Sequence, residues 1–90
     1  INRGHVTDSE VYGEYAKLAG PAIQKFGGRV LVRAGQQVEL EGGPYERTVL
    51  VEFDSMEDAL NAYNSNEYAE ALKYSKESSE RQVVIVEGMD

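Results

Sequence analysis

Between Val11 and Ala34 the apolar period of the chain changes from three-and-four to two, and the change falls on Gly27-Gly28. Val11, Tyr15, Leu18, Ala22 and Phe26 recur at helical spacing, with Tyr12, Ala19 and Ile23 widening the stripe into one core-facing side. Beyond the glycine pair, Val30, Val32 and Ala34 alternate with Arg29, Leu31 and Arg33, the pattern of a strand whose two faces meet different surroundings. A one-sided helix that stops at glycine and leads straight into such a strand must fold back onto the sheet that the strand joins. The junction therefore restricts the chain to layered architectures of helix on sheet.

The flanking segments extend this pattern in both directions. Ile1 to Val6 reads as a short strand, and Thr7 and Glu10 stand three apart, as a capping box at the start of the helix requires. Gly20-Pro21 predicts a kink or a fresh helical start at Pro21, because proline removes a backbone donor and crowds the preceding turn. Gly35 to Glu46, with Val38 and Leu40 alternating between glycines, predicts an extended hairpin arm. Arg47 to Phe53 is a second alternating strand, with Val49, Val51 and Phe53 on one side and Leu50 and Glu52 on the other. Ser55 and Asp58 cap a helix carrying Met56, Leu60 and Tyr63, which is interrupted around Ser65-Asn66 and resumes through Tyr68, Ala71 and Leu72. Gln82 to Val86 is apolar and β-branched, as a covered strand would be.

The order strand, helix, strand, strand, helix, strand predicts an α+β fold of the ferredoxin-like βαββαβ kind. Its four-stranded antiparallel sheet has the order 4-1-3-2, with the helices on one face. Strand alternation puts Val30 and Val32 beside Val49, Val51 and Phe53 under the helices, and leaves Arg33 and Glu52 on the opposite face near Leu31 and Leu50. An apolar sheet face with no helix over it predicts a symmetric homodimer.

Ninety residues allow one domain, 1–90; because the chain opens at Ile1 inside a strand pattern, a few further N-terminal residues are expected. Sixteen acidic against nine basic residues give a net charge of −7, which repels phosphate backbones and anionic membrane surfaces. Every apolar run is broken by charge within a few residues, so a soluble cytoplasmic protein is expected, with neither nucleic acid nor membrane as partner. There is no cysteine, one histidine, no zinc-type His-Glu spacing and no acidic calcium loop. No metal and no cofactor are expected. No Gly-x-Ser-x-Gly elbow, phosphate loop or dinucleotide fingerprint occurs.

The residues left to carry chemistry are few. His5 and Glu52 are the catalytic candidates, the plainer account of His5 being a hydrogen-bonded surface residue. Arg29, Arg33 and Glu52 alternate with apolar residues and are expected on the face a partner covers, either as ion pairs or as a site. In the second case Arg33 binds an anionic or carbonyl oxygen of a small organic molecule, and Glu52 orients it or moves a proton. Tyr12, Tyr15, Tyr63 and Tyr68 have core spacing with hydroxyls reaching the rim, and Tyr63 and Tyr68 are also candidates to face a ligand.

An ordered set of short motifs adds to this. Tyr12-x-x-Tyr15, Gly20-Pro21-Ala22-Ile23, Phe26-Gly27-Gly28-Arg29-x-Leu31-Val32-Arg33, Leu40-Glu41-Gly42, Glu52-Phe53-x-Ser55, Tyr63-x-Ser65-x-Glu67-Tyr68 and Ile85-Val86-Glu87-Gly88 together resemble the DUF1330 family over nearly the whole chain. The resemblance implies a dimeric α/β barrel, in which two ferredoxin-like sheets pack face to face, and a family with no generally established activity. Two positions depart from the family pattern: Asn66 stands where proline is usual and Ser75 about where arginine is often found. Three functional classes stay open: a protein that binds or acts on a small organic molecule in a pocket between sheet and helices, a ligand-sensing or regulatory module without catalysis, and RNA recognition. RNA recognition is the weakest reading, because the strands lack an exposed aromatic pair.

Overall fold

The computed structural model describes residues 1–89. Its elements are β1 (Asn2–Val6), α1 (Ser9–Lys25), β2 (Arg29–Arg33), β3 (Arg47–Glu52), α2 (Met56–Tyr63), α3 (Asn66–Ser78) and β4 (Ser79–Val83). The strands form one antiparallel sheet in the order β2-β3-β1-β4, the expected 4-1-3-2 arrangement read from the other edge.

Local chemistry sets most boundaries. Asp8, rather than Thr7, caps α1, its carboxylate accepting from the amides of Glu10 and Val11. The helix then runs unbroken through Pro21 to Lys25, so no fresh start occurs there. One proline removes a single amide donor, and α1 is held to α3 on both sides of that position by the buried Ala19 and Ala22. At its end Gly27 takes a φ of +85°, and the amides of Gly27 and Gly28 donate to the carbonyls of Gln24 and Ile23, a complete Schellman cap. Ser55 and Ser65 cap α2 and α3, so the expected interruption near Ser65-Asn66 is a true break between two helices.

Three strand expectations need correction. The last strand covers Ser79–Val83 rather than Gln82–Val86. Its partner β1 begins at Asn2, the last ladder contact joins Val84 to Ile1, and Ile85 onward has no strand opposite. In β2, Val30 lies opposite Val51 but Val32 lies opposite Leu50, so Leu31 is an extra residue in a β-bulge. A one-residue slip exchanges faces, so Val32 joins the Leu50 row and Arg33 the Val49 row, the reverse of simple alternation. Arg33 and Glu52 therefore stand on opposite faces.

The helix-covered face is fixed by what touches the helices. Val6 packs against the tyrosine cluster, Arg47 lies over the Tyr12 ring and Arg81 bonds Tyr15. Through the ladder this row contains Asn2, Gly4, Val6, Arg47, Val49, Arg81 and Val83. The buried core is Tyr12, Tyr15, Ala19, Ala22, Ala59, Ala62, Tyr68 and Ala71. Met56, Leu60 and Tyr63, expected as the buried stripe of α2, are instead exposed, and the alanines between them are buried. With alanine at the seams the helices approach one another closely, and among the described residues none of the larger aliphatic side chains between helices and sheet, such as Ile23, Val49 and Val51, is fully buried.

Candidate functional site

That space opens into a cleft of about 920 Å³ that continues round the end of the sheet past Leu50 and Glu52 of the other face and is open to solvent, within the range typical of small-molecule sites. Its lining comes from the first residues of β1 and β2, the last residues of β3 and β4, the start of α2, the middle of the helix layer, and residues 84–89 that follow β4. In an antiparallel sheet those strand ends lie together, so the cleft opens at one end of the sheet. Ile23, Val49, Val51, Phe53 and Val83 give it apolar walls, and Asn2, Tyr15, Tyr63 and Tyr68 supply polar groups.

Beneath it lies a buried network. The hydroxyls of Tyr15 on α1 and Tyr68 on α3 are 2.7 Å apart. Arg81 of β4 donates from Nη1 to the Tyr15 hydroxyl at 2.9 Å and from Nη2 to Ser75 Oγ at 3.3 Å, with its guanidinium carbon 4.8 Å from the Tyr15 ring centroid. Gly4 lies opposite Arg81, and a Cβ on it would come within 2.9 Å of Arg81 Cγ and 3.0 Å of the Glu80 carbonyl. Only a bare Cα lets the arginine lie flat across β1. Burial, together with the neighbouring Tyr68, pushes the Tyr15 hydroxyl well above the ordinary tyrosine range, outweighing the opposing charge of Arg81. Burial pulls the Arg81 guanidinium down, but the two tyrosine oxygens it faces more than offset this, so it stays charged.

Two further polar atoms on the same sheet face are buried without a hydrogen-bond partner, Asn2 Oδ1 and Arg47 Nε. At the mouth of the cleft Arg29 donates to Glu52 at 3.2 Å and to Asp54 at 3.0 Å. Among the described residues no group of three His, Asp or Glu side chains is placed to hold a metal, and no helix is long and apolar enough to cross a membrane.

The family model for the domain of unknown function DUF1330 matches residues 1–89. The chain belongs to the DUF1330 family. Among solved structures it is similar to the crystal structure of RPA0582, a protein of unknown function from Rhodopseudomonas palustris. The TM-score is 0.70 at 19% identity, covering 96% of this chain and 80% of that one, so the two share a fold. None of the curated proteins matches the chain.

Within this DUF1330 domain the candidates drawn from the sequence separate by position. Tyr63 and Tyr68 line the cleft, and Arg29 and Glu52 stand at its mouth, paired with one another. His5 and Arg33 do not line it; Arg33 stands opposite Val49 on the edge strand β2, in the row that Asn2 and Val83 continue, and His5 is hydrogen-bonded to Glu46 at 2.7 Å on the exposed surface. Arg81, Asn2 and Arg47 were not singled out as site residues by sequence reasoning. The available signal was Gly4, since glycine inside a strand marks a place where another group approaches closely. Ser75, one of the two departures from the DUF1330 pattern, is the second acceptor for Arg81.

Proposed function

We propose that this DUF1330 domain binds a small organic molecule in the cleft between helices and sheet, and does so as a homodimer of the α/β-barrel kind. The observation that carries the reading is the cleft itself: apolar walls and a tyrosine pair held from behind by Arg81. Apolar surface with a few fixed polar groups is the usual composition of a ligand site. Arg29, Glu52 and Asp54 guard its mouth, Tyr63 and Tyr68 contact the ligand, and a partner covers the face carrying Leu31, which is 56% exposed. Binding is favoured over catalysis by the ion pairs, since Glu52, the carboxylate placed to move a proton, is already held by Arg29.

The test is a thermal-shift screen against small carboxylic acids and phenols, run on the wild type and on Val51→Phe, which fills the cleft without adding a polar group. At least one compound is expected to raise the melting temperature of the wild type and to leave the variant unmoved. Equal shifts in both proteins, or none in the wild type, would overturn the assignment.

A further inference from the structure

The tyrosine network holds one more hydrogen than it has acceptors. A guanidinium can only donate, so the Tyr15 oxygen accepts from Arg81. Ser75 Oγ accepts from Arg81 and gives its own hydrogen to the Leu72 carbonyl. The Tyr15 hydrogen then goes to the Tyr68 oxygen, the polar atom bonded to it. That leaves the Tyr68 hydrogen with no acceptor among the described residues. Reversing the bond strands the Tyr15 hydrogen instead, so the shortage of one acceptor does not depend on the direction. Both tyrosines line the cleft.

The electrostatics of this face point the same way. Neither Arg81 nor Arg47 has a carboxylate within ion-pair distance among the described residues, although the chain as a whole carries a net charge of −7. Positive charge is thus concentrated without a counter-ion behind a spare hydroxyl donor.

Resting on the reading of the cleft as a ligand site, we infer that its ligand is a weakly acidic phenol or enol bound as the anion. The oxyanion accepts the Tyr68 hydrogen, and Arg81 acts through Tyr15 as a positioning and polarising residue. A single oxyanion fits better than a carboxylate. Carboxylates are best met by two parallel guanidinium donors, and both Arg81 nitrogens that could serve are engaged with Tyr15 and Ser75. The proton lost by the phenol passes to solvent, and no bond to carbon changes.

The experiment uses 4-nitrophenol, whose anion is yellow and whose neutral form is colourless. Binding is measured by equilibrium dialysis and ionisation by absorbance, for the wild type, Tyr68→Phe, Arg81→Met and Arg81→Lys. On the wild type the anion-to-phenol ratio at mildly acidic pH should rise about tenfold over that free in solution, one unit of pKa. Tyr68→Phe and Arg81→Met should return it to the free value while still binding, and Arg81→Lys, which keeps the charge, should recover part of the rise. If Tyr68→Phe fails to fold, the contrast between the two Arg81 variants decides. Binding with an unchanged ionisation constant, or tighter binding of benzoate than of 4-nitrophenol, overturns the inference and leaves the cleft as a ligand site. No binding of either compound overturns both.

Discussion

Tyr15 sits where three kinds of interaction meet: edge-to-face packing on Tyr68, a stacked guanidinium and two hydrogen bonds. Removing only its oxygen, in Tyr15→Phe, keeps the ring and leaves Arg81 and Tyr68 each short of a partner. The expected loss of stability is about 1–3 kcal/mol at neutral pH, measured by urea denaturation. The pH dependence has a definite sign. Burial raises this phenol above its ordinary value of 10.0, so at higher pH the unfolded chain has released a proton that the folded chain retains. Stability then falls as pH rises above 10.0. Tyr15→Phe should decline less steeply over that range, and parallel decline of the two proteins would show that Tyr15 is not the buried phenol. Both tyrosines of the pair were legible in the sequence, because helical spacing marks the face to which they belong. Arg81 was not, since it stands in the polar run from Glu80 to Gln82, where no period separates strand from helix.

The pairing of α1 with α3 shows what an element can and cannot announce. Its seam of Ala19, Ala22 and Ala71 follows from spacing, and Ala71 is 0% exposed. Across the seam Lys25 at the end of α1 forms an ion pair with Glu67 in the first turn of α3, where a negative charge also suits the helix dipole. The Lys25 hydrogen bond, before other causes, holds the Glu67 carboxyl below the usual carboxylate range. A depressed carboxyl contributes stability above its unfolded value and loses it as pH falls through the folded one. The stability difference between wild type and Glu67→Gln should accordingly be constant at neutral pH and shrink below pH 4.5. A difference that persists unchanged into stronger acid would mean that the Lys25–Glu67 pair does not hold α1 to α3. The bulge in β2 was out of reach of such reasoning. Arg29 to Ala34 alternates without a flaw, and the extra residue shows only against β3. That is why Arg33 and Val32 were placed on each other's faces.

At the scale of the whole molecule, the core of one chain consists of tyrosines and alanines, while Leu31, Val32, Val84 and Val86 remain exposed. The element order and strand order could be read from the sequence because they depend on periods and turns. The cleft could not, because it arises from side chains that are too small to fill the layer. The proposed homodimer gives the exposed residues a partner. Light scattering across a dilution series should report a dimeric mass for the wild type and a shift toward the monomer for Leu31→Glu, and a monomeric mass for the wild type at every concentration would remove the dimer from the reading. The ladder also bears on how the chain reaches this state. β1 occupies an inner position of the sheet, yet its neighbours β3 and β4 begin at Arg47 and Ser79, and its last contact joins Ile1 to Val84. Both neighbours lie far away in sequence, and closing such loops costs entropy before any contact repays it. During synthesis β1 is made before both of its neighbours, so its two edges stay unpaired until Arg47–Glu52 and then Ser79–Val83 have followed it.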